Sequence, residues 1–200
     1  MLILGIDPGL SKCGYGLIDV QAHRTTALAA GVIVTESSAE RPARLAELQW
    51  QIRRLLDNPR PDAVAMERLL FQRNVSTAMA VGQAVGVILA EAASVTSEIY
   101  EYSPNEIKQA VTGHGNAGKH EVASMVVQLL DLPRNQLAAL SDDEVPPDTT
   151  DALAIALCHG AMRPPQVHKK TLRVVGKDEQ DPTLRHPAFR HSHAQESQQT

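Results

Sequence analysis

Aromatic residues make up only 3% of the 200 residues, so Ala, Val, Leu and Ile must fill the core, and a broad platform for stacking bases is not available. Cysteine is nearly absent: Cys13 and Cys158 supply neither a disulfide framework nor a four-thiolate zinc site, and read as small buried hydrophobes in a reducing cytoplasm. Neither sign of charge dominates. A formal charge of −4 and a pI near 6.0 argue against non-specific coating of polyanions and leave room for local basic patches. The opening MLILGIDPG has no basic leader, and its apolar run is too short for a signal peptide or a membrane span. What is present suits one ordinary domain: 43% hydrophobic and 21% charged residues build a core of normal size and exclude wholesale disorder.

Residues 2–7 form a β-rich run that ends at a carboxylate, with Pro8-Gly9 as a turn. Runs at 14–19 and 26–35 follow as strands, so the sheet begins as an antiparallel meander. Leu45, Leu48, Ile52, Leu55 and Leu56 fall at helical spacing and predict a helix over 41–58, stopped by Pro59, with Trp50 off the apolar stripe. Residues 62–66 read as a short buried strand that delivers Glu67 at its end. A long helix from 74 to 95 carries Val81, Val85, Ile88, Leu89 and Ala92 on one face; its small residues, Gly82 and Gly86 among them, suit close approach of another element, in this chain or a second copy. A strand at 98–102 leads into Ser103-Pro104-Asn105-Glu106, a capping box with proline at the first helical position, and that helix ends at Gly113. After the loop GHGNAG, Val122, Met125, Val126 and Leu129 mark another amphipathic helix. The last helix is expected over 148–159, closed by Gly160, with His159 bonding its terminal carbonyls. Residues 164–200 turn to Pro, His, Gln, Lys and Arg and read as a disordered tail; it holds 6 Lys/Arg against 4 Asp/Glu, whereas 1–163 holds 13 against 19. The fold class is therefore α/β with a mixed sheet, whose functional crevice lies at the carboxyl ends of its strands.

Acids stand where that crevice is expected: Asp7 after the first strand, Glu67 after the fourth, and Asp148 with Asp151 on the last helix. Three-residue spacing puts Asp148 and Asp151 on one helix face, and a place in the first turn favours their ionised form through the helix dipole. Taken singly, each has a plainer reading: an Asp before Pro-Gly forms turns, an Asp at a helix start caps it, and Glu67 can pair with Arg68. Taken together, four carboxylates repel one another unless a divalent cation neutralises them, and an all-oxygen set suits Mg²⁺ or Mn²⁺ better than Zn²⁺. Two such ions can activate water for phosphodiester hydrolysis. Asp142, Asp143 and Glu144 occupy an acidic loop and read as a solvated run.

The sequence resembles the RuvC family of Holliday-junction resolvases. The resemblance rests on GIDPGLSKCGYGLID at 5–19, AMERLLFQRNVSTAMAVGQAVGVIL at 65–89, YSPNEIKQAVTGHGNAGKHEV at 102–122 and PPDTTDALAIALCHG at 146–160, in that order over nearly all of 1–163. It implies an RNase H-like fold with a mixed five-stranded sheet flanked by helices, a homodimer, and Mg²⁺-dependent paired nicking of a four-way DNA junction in recombination and repair, in cooperation with the RuvA–RuvB branch-migration machinery. Asp7, Glu67, Asp148 and Asp151 fall on the family's catalytic acids. By this implication Asp7 bridges two ions, Glu67 and Asp151 complete the coordination, and Asp148 ligates or orients the attacking water. Lys108 and Lys119 fall on its basic positions near the scissile DNA, with Lys12, Arg68 and Arg73 as further DNA contacts. Where many members carry phenylalanine three residues after the catalytic glutamate, this chain has Leu70 with Phe71 beside it; either Phe71 meets an unstacked base or Leu70 acts as an apolar wedge.

Four rival readings remain open in the sequence. Gly113 to Lys119 nearly matches the phosphate-binding loop of NTP-hydrolysing proteins, without its final hydroxyl and without the preceding strand that motif needs. The 5–19 segment also resembles the phosphate-binding hairpin of actin- and sugar-kinase-like ATPases, which need a second related domain. A YqgF-type RNase H-like nuclease shares the chemistry, and a junction-binding module without catalysis is the answer of a different class.

Overall fold

Along the first strand, residues point alternately to two layers, and the apolar pattern makes both of them core. A computed structural model of the chain describes residues 1–68, 75–132 and 147–162, with the backbone alone for 75–77. In β1 (Leu2–Asp7), Ile3 packs into one core while Leu4 and Ile6 pack into another, so Gly5 and Asp7 share the face of Ile3. β2 (Lys12–Val20) runs antiparallel to β1, and β3 (Thr25–Val34) antiparallel to β2 with a register shift between Leu17 and Ile18. β4 (Ala63–Glu67) then pairs parallel to β1, and β5 (Ile99–Tyr102) parallel to β4, which gives the order β3-β2-β1-β4-β5. The meander and the mixed five-stranded sheet are as expected.

The helices divide between the faces. α1 (Arg41–Asp57) and α2 (Val75–Val95) cover one, burying Leu48, Ile52, Leu56, Ala84, Val85, Ile88 and Ala92 against Leu4, Ile6, Val64 and Met66. Buried Glu91 fastens α2 to α1: its carboxylate accepts bonds from Arg53 (Nη2 2.8 Å, Nε 3.0 Å) and from Gln49 Nε2 (2.6 Å). By length and composition α2 is apolar enough to cross a bilayer, with a mean hydropathy of 1.6 over Ala78–Val95. Its packed face and the Glu91 network are those of a core helix. Its other face presents Met79, Gly86, Ala90 and Ala93 to solvent.

On the opposite face lie α3 (Pro104–Thr112), α4 (Lys119–Leu129) and α5 (Pro147–Met162). The capping box at Ser103 forms as predicted, and Gly113 ends α3 at φ 85°. Three expectations fail. Gly160 does not close α5, which continues to Met162; a Cβ on it would meet Val20 Cγ2 at 3.3 Å, so its smallness serves packing on the sheet. His159, in the last turn of α5, is buried: its Nδ1 shares a hydrogen bond of 2.7 Å with the Tyr102 hydroxyl and its ring lies tilted against Tyr100. In α4, Leu129 is exposed, and Leu130 takes the buried place beyond Val122 and Val126. Both cysteines are buried as expected, and Trp50 is 51% exposed with Arg54 stacked on it. The expectations for 133–146, including Asp142, Asp143 and Glu144, and for the tail 164–200 lie outside the described residues.

Candidate active site

Asp7 and Glu67 end neighbouring parallel strands: Ile6 is in register with Met66, so the two carboxylates leave the sheet side by side. By strand alternation both face the layer that holds α5. What brings Asp148 and Asp151 to them is a floor without side chains. Gly5 and Gly16 pair across β1 and β2, and Gly14 pairs with Asp7 itself. A Cβ on Gly14 would lie 2.1 Å from the Asp148 carbonyl oxygen, and one on Gly5 would lie 2.2 Å from that of Ala152. The backbone of α5 thus rests directly on the strands, and its first two turns sit over the ends of β1 and β2. Sequence reasoning missed these glycines; their signal was there, in three glycines at positions that alternate onto one face of two paired strands.

The acids sense one another. Asp7 is pushed up to about 7, chiefly by burial and then by Glu67, Asp151 and Asp148, against a smaller opposing pull from Lys119. Burial and then Asp151 raise Glu67, opposed by Lys119 and Lys108. Asp151 is also raised, by burial and by Asp148, with Lys119 opposing. This corrects the expected dipole effect at Asp151: only Asp148 lies in the first turn of α5, and desolvation outweighs whatever the helix end supplies one turn later. Arg68 does not pair with Glu67 either; its Nη2 donates to the Glu101 carbonyl at 2.9 Å.

A cleft of about 270 Å³ opens beside the acids, lined by Glu67, Asp151, Lys108 and Lys119 with Ile107 and Val122. Lys119 Nζ stands 4.0 Å from Asp151 Oδ2 with 83% of its side chain exposed, close enough to be drawn in and loose enough to serve another anion. The loop before Lys119 joins two helices, α3 and α4, so the NTP-binding reading lacks its strand, and His114 of that loop pairs with Glu121 at 2.8 Å. Lys12 is exposed and lines a different cleft. Leu70, Phe71 and Arg73 lie outside the described residues.

The donor set fits a hard divalent cation: oxygen ligands only, mutually repelling, with neutralisation from Lys108 and Lys119 incomplete. Among the described residues no three His, Cys, Asp or Glu side chains are already gathered into a ligand cage, so holding an ion requires rotation of carboxylates whose backbones are already adjacent.

A mixed five-stranded sheet with acids at the ends of its central strands, facing more acids on the helix laid across them, defines an RNase H-like nuclease domain. The comparisons agree on the particular family. The profile described as crossover junction endodeoxyribonuclease RuvC matches residues 3–159. A protein of that description from Heliobacterium modesticaldum is 46% identical over 158 residues, 79% of this chain and 93% of the relative. One from Moorella thermoacetica is 44% identical over 164 residues, 82% and 93% of the two chains. The Thermus thermophilus RuvC solved with a Holliday junction substrate superposes with a TM-score of 0.70 at 36% identity, over 80% of this chain and 93% of that one. The chain belongs to the RuvC family of crossover junction endodeoxyribonucleases. Nucleases of this family are metal-dependent.

Proposed function

We propose that the chain resolves Holliday junctions by paired symmetric nicks and that Asp7, Glu67, Asp148 and Asp151 are its catalytic acids. The observation that carries the assignment is geometric: Asp7 and Glu67 end paired strands on the face of the sheet where the start of α5, with Asp148 and Asp151, rests on Gly14 and Gly5. These acids would hold Mg²⁺, two ions per site, with Mn²⁺ able to substitute; the bound metal supplies activation of water and stabilisation of the departing oxygen. The protein's own part is to place two carboxylates at strand ends opposite two on α5 and to keep the phosphate in position. Lys108 and Lys119, on the wall of the cleft, suit contacts to the phosphates beside the scissile bond. Leu70 or Phe71, following Glu67 closely in sequence, would meet an unstacked base, with Arg73 on the backbone nearby.

Cleavage of a synthetic four-way junction, compared with a linear duplex of the same sequence with and without Mg²⁺, tests the reading; equal cutting of both substrates would overturn it. Lys119→Ala is expected to lower junction cleavage about tenfold or more with an unchanged melting temperature, because its side chain is exposed. Normal cleavage by that variant would reduce Lys119 to a surface charge.

Two strands must be cut at a junction, and a two-fold dimer presents two copies of one acid cluster to them. The exposed face of α2 is the proposed interface: Met79, Gly86, Ala90 and Ala93 align on it, and an added Cβ at Gly82 or Gly86 meets nothing within 4 Å among the described residues. Gly86→Glu is therefore tolerated within one protomer and should gain helix propensity, by up to roughly 1 kcal/mol. Sedimentation is expected to show monomers and junction cleavage to collapse; a dimer that survives the substitution places the contact elsewhere. Residues 1–163 make up the nuclease domain in this reading, and the family match ending at residue 159 supports that boundary. The RuvA–RuvB complex would deliver the junction, in the cytoplasm.

A further inference from the structure

Arg44, in the first turn of α1, has its guanidinium fixed by two hydroxyls. Its Nε donates to Thr35 Oγ1 at 3.0 Å and its Nη2 to Ser11 Oγ at 2.6 Å. Thr35 is buried and itself anchored, with Oγ1 donating to the Leu10 carbonyl at 2.6 Å and the backbone N–H donating to the Ser11 carbonyl. A neutral donor would tie these segments equally well. Here the tie is made by a cation whose partners carry no charge, and among the described residues no carboxylate stands within ion-pair distance of Arg44 or of Lys12.

Both residues line an open cleft of about 660 Å³ together with Ser11, Thr35 and Ser37. Glu36 and Glu47 also line the cleft, each held by a neutral neighbour: Glu36 accepts from Ser38 N–H and Oγ, each at 3.0 Å, and Glu47 accepts from Gln51 Nε2 at 2.8 Å. A guanidinium has five N–H groups in a rigid fork, and two are used here. The remainder, with the Lys12 ammonium and the hydroxyls, form an oriented set of donors that no carboxylate among the described residues pairs with. It begins at the turn that follows Asp7, with no more than about 14 Å of chain between Asp7 and Ser11.

We propose that Arg44, Lys12 and Ser11 form a second phosphate-binding site for the DNA substrate, one that holds the backbone a few nucleotides away from the acid cluster. The site rests on the junction-cleaving reading given above. It differs from the Lys108–Lys119 wall in lying beside α1, on the β2–β3 side of Asp7.

The test is binding of a fluorescent four-way junction in EDTA across a salt series, for the wild-type chain and for Arg44→Gln, Lys12→Gln, Arg44→Lys and Arg24→Gln. Arg24 lies in the β2–β3 turn, at the other end of β2 from Lys12, and serves as a control. Loss of one phosphate contact is expected to weaken binding about fivefold near 0.15 M salt and to flatten the slope of log affinity against log salt by about 0.9. Arg44→Gln and Lys12→Gln should each do so. Arg44→Lys should keep the slope while losing the affinity that depends on the fork, and Arg24→Gln should change neither. Since Arg44→Gln also removes two structural hydrogen bonds, its melting temperature is measured alongside, and Lys12→Gln, which breaks no described bond, decides if the first variant unfolds. Wild-type slopes in both glutamine variants overturn this inference alone. A wild-type chain that does not bind the junction overturns the functional reading as well.

Discussion

Asparagine in place of Asp7 is expected to abolish junction cleavage while making the protein harder to unfold. The loss should be at least about a thousandfold, the scale of about 4 kcal/mol of transition-state stabilisation by a metal site. Junction binding should survive, because the lysines on the cleft wall are untouched. The stability gain follows from the charge that the substitution removes. Asp7 keeps its proton up to about 7 in the folded chain, whereas an unfolded aspartate releases it near 3.9. Between those values the folded state binds more protons than the unfolded one, so stability falls as pH rises through that window. Above it, the ionised carboxylate costs the fold up to about 4 kcal/mol, an upper bound because part of the group is solvated. Thermal denaturation in EDTA should therefore show Asp7→Asn nearly matching wild type at pH 4 and melting higher at pH 8. Equal melting at both pH values would mean that Asp7 is ionised at little cost and that the acids do not crowd it; full activity in Asp7→Asn would remove it from the mechanism.

A single methyl group at Gly14 should be nearly as damaging. Its carbon would stand 2.1 Å from the Asp148 carbonyl oxygen, a backbone atom that no rotamer change can move. Gly14→Ala must lift the start of α5 away from β2 or break it, at a cost of roughly 3 kcal/mol or more. Either outcome carries Asp148 and Asp151 away from Asp7, and a displacement of even about 1 Å is enough to reduce turnover about a hundredfold. The measurement is cleavage rate with melting temperature, set against Gly86→Ala on α2, where the added carbon meets nothing within 4 Å among the described residues. Similar behaviour of the two variants would show that the glycine floor does not seat the helix.

Local signals were the readable ones. The Ser103–Glu106 box spans four residues, and all of its bonds lie within that span, so the start of α3 is written in four letters. The strand-end positions of Asp7 and Glu67 follow equally from short apolar runs. What sequence obscures is anything decided across the sheet. Gly160 looks like a helix stop because glycine so often is one, yet it packs closely on Val20 and Ile3, and the helix runs on. His159 looks like a helix-end ligand for carbonyls until Tyr102, fifty-seven residues earlier, supplies its partner. The raised state of Asp151 depends on burial, which spacing does not report. Arg44 gives no signal at all, since Ser11 and Thr35 reach it only after folding.

The strands and the helix do not hold their acids with equal firmness. Leu4, Ile6, Val64 and Met66 are pinned from below by α1 and α2, while Ile3 and Ala65 are pinned from above. Asp7 and Glu67 thus stand on backbone clamped in both directions. Asp148 lies in the first turn of α5 beside exposed Pro147 and is seated on one side only, where its carbonyl meets Gly14. If a carboxylate must travel to close around an ion, the traveller is the helical one. The strand-borne pair would then be the fixed jaw that decides which bond of the DNA lies under the cut.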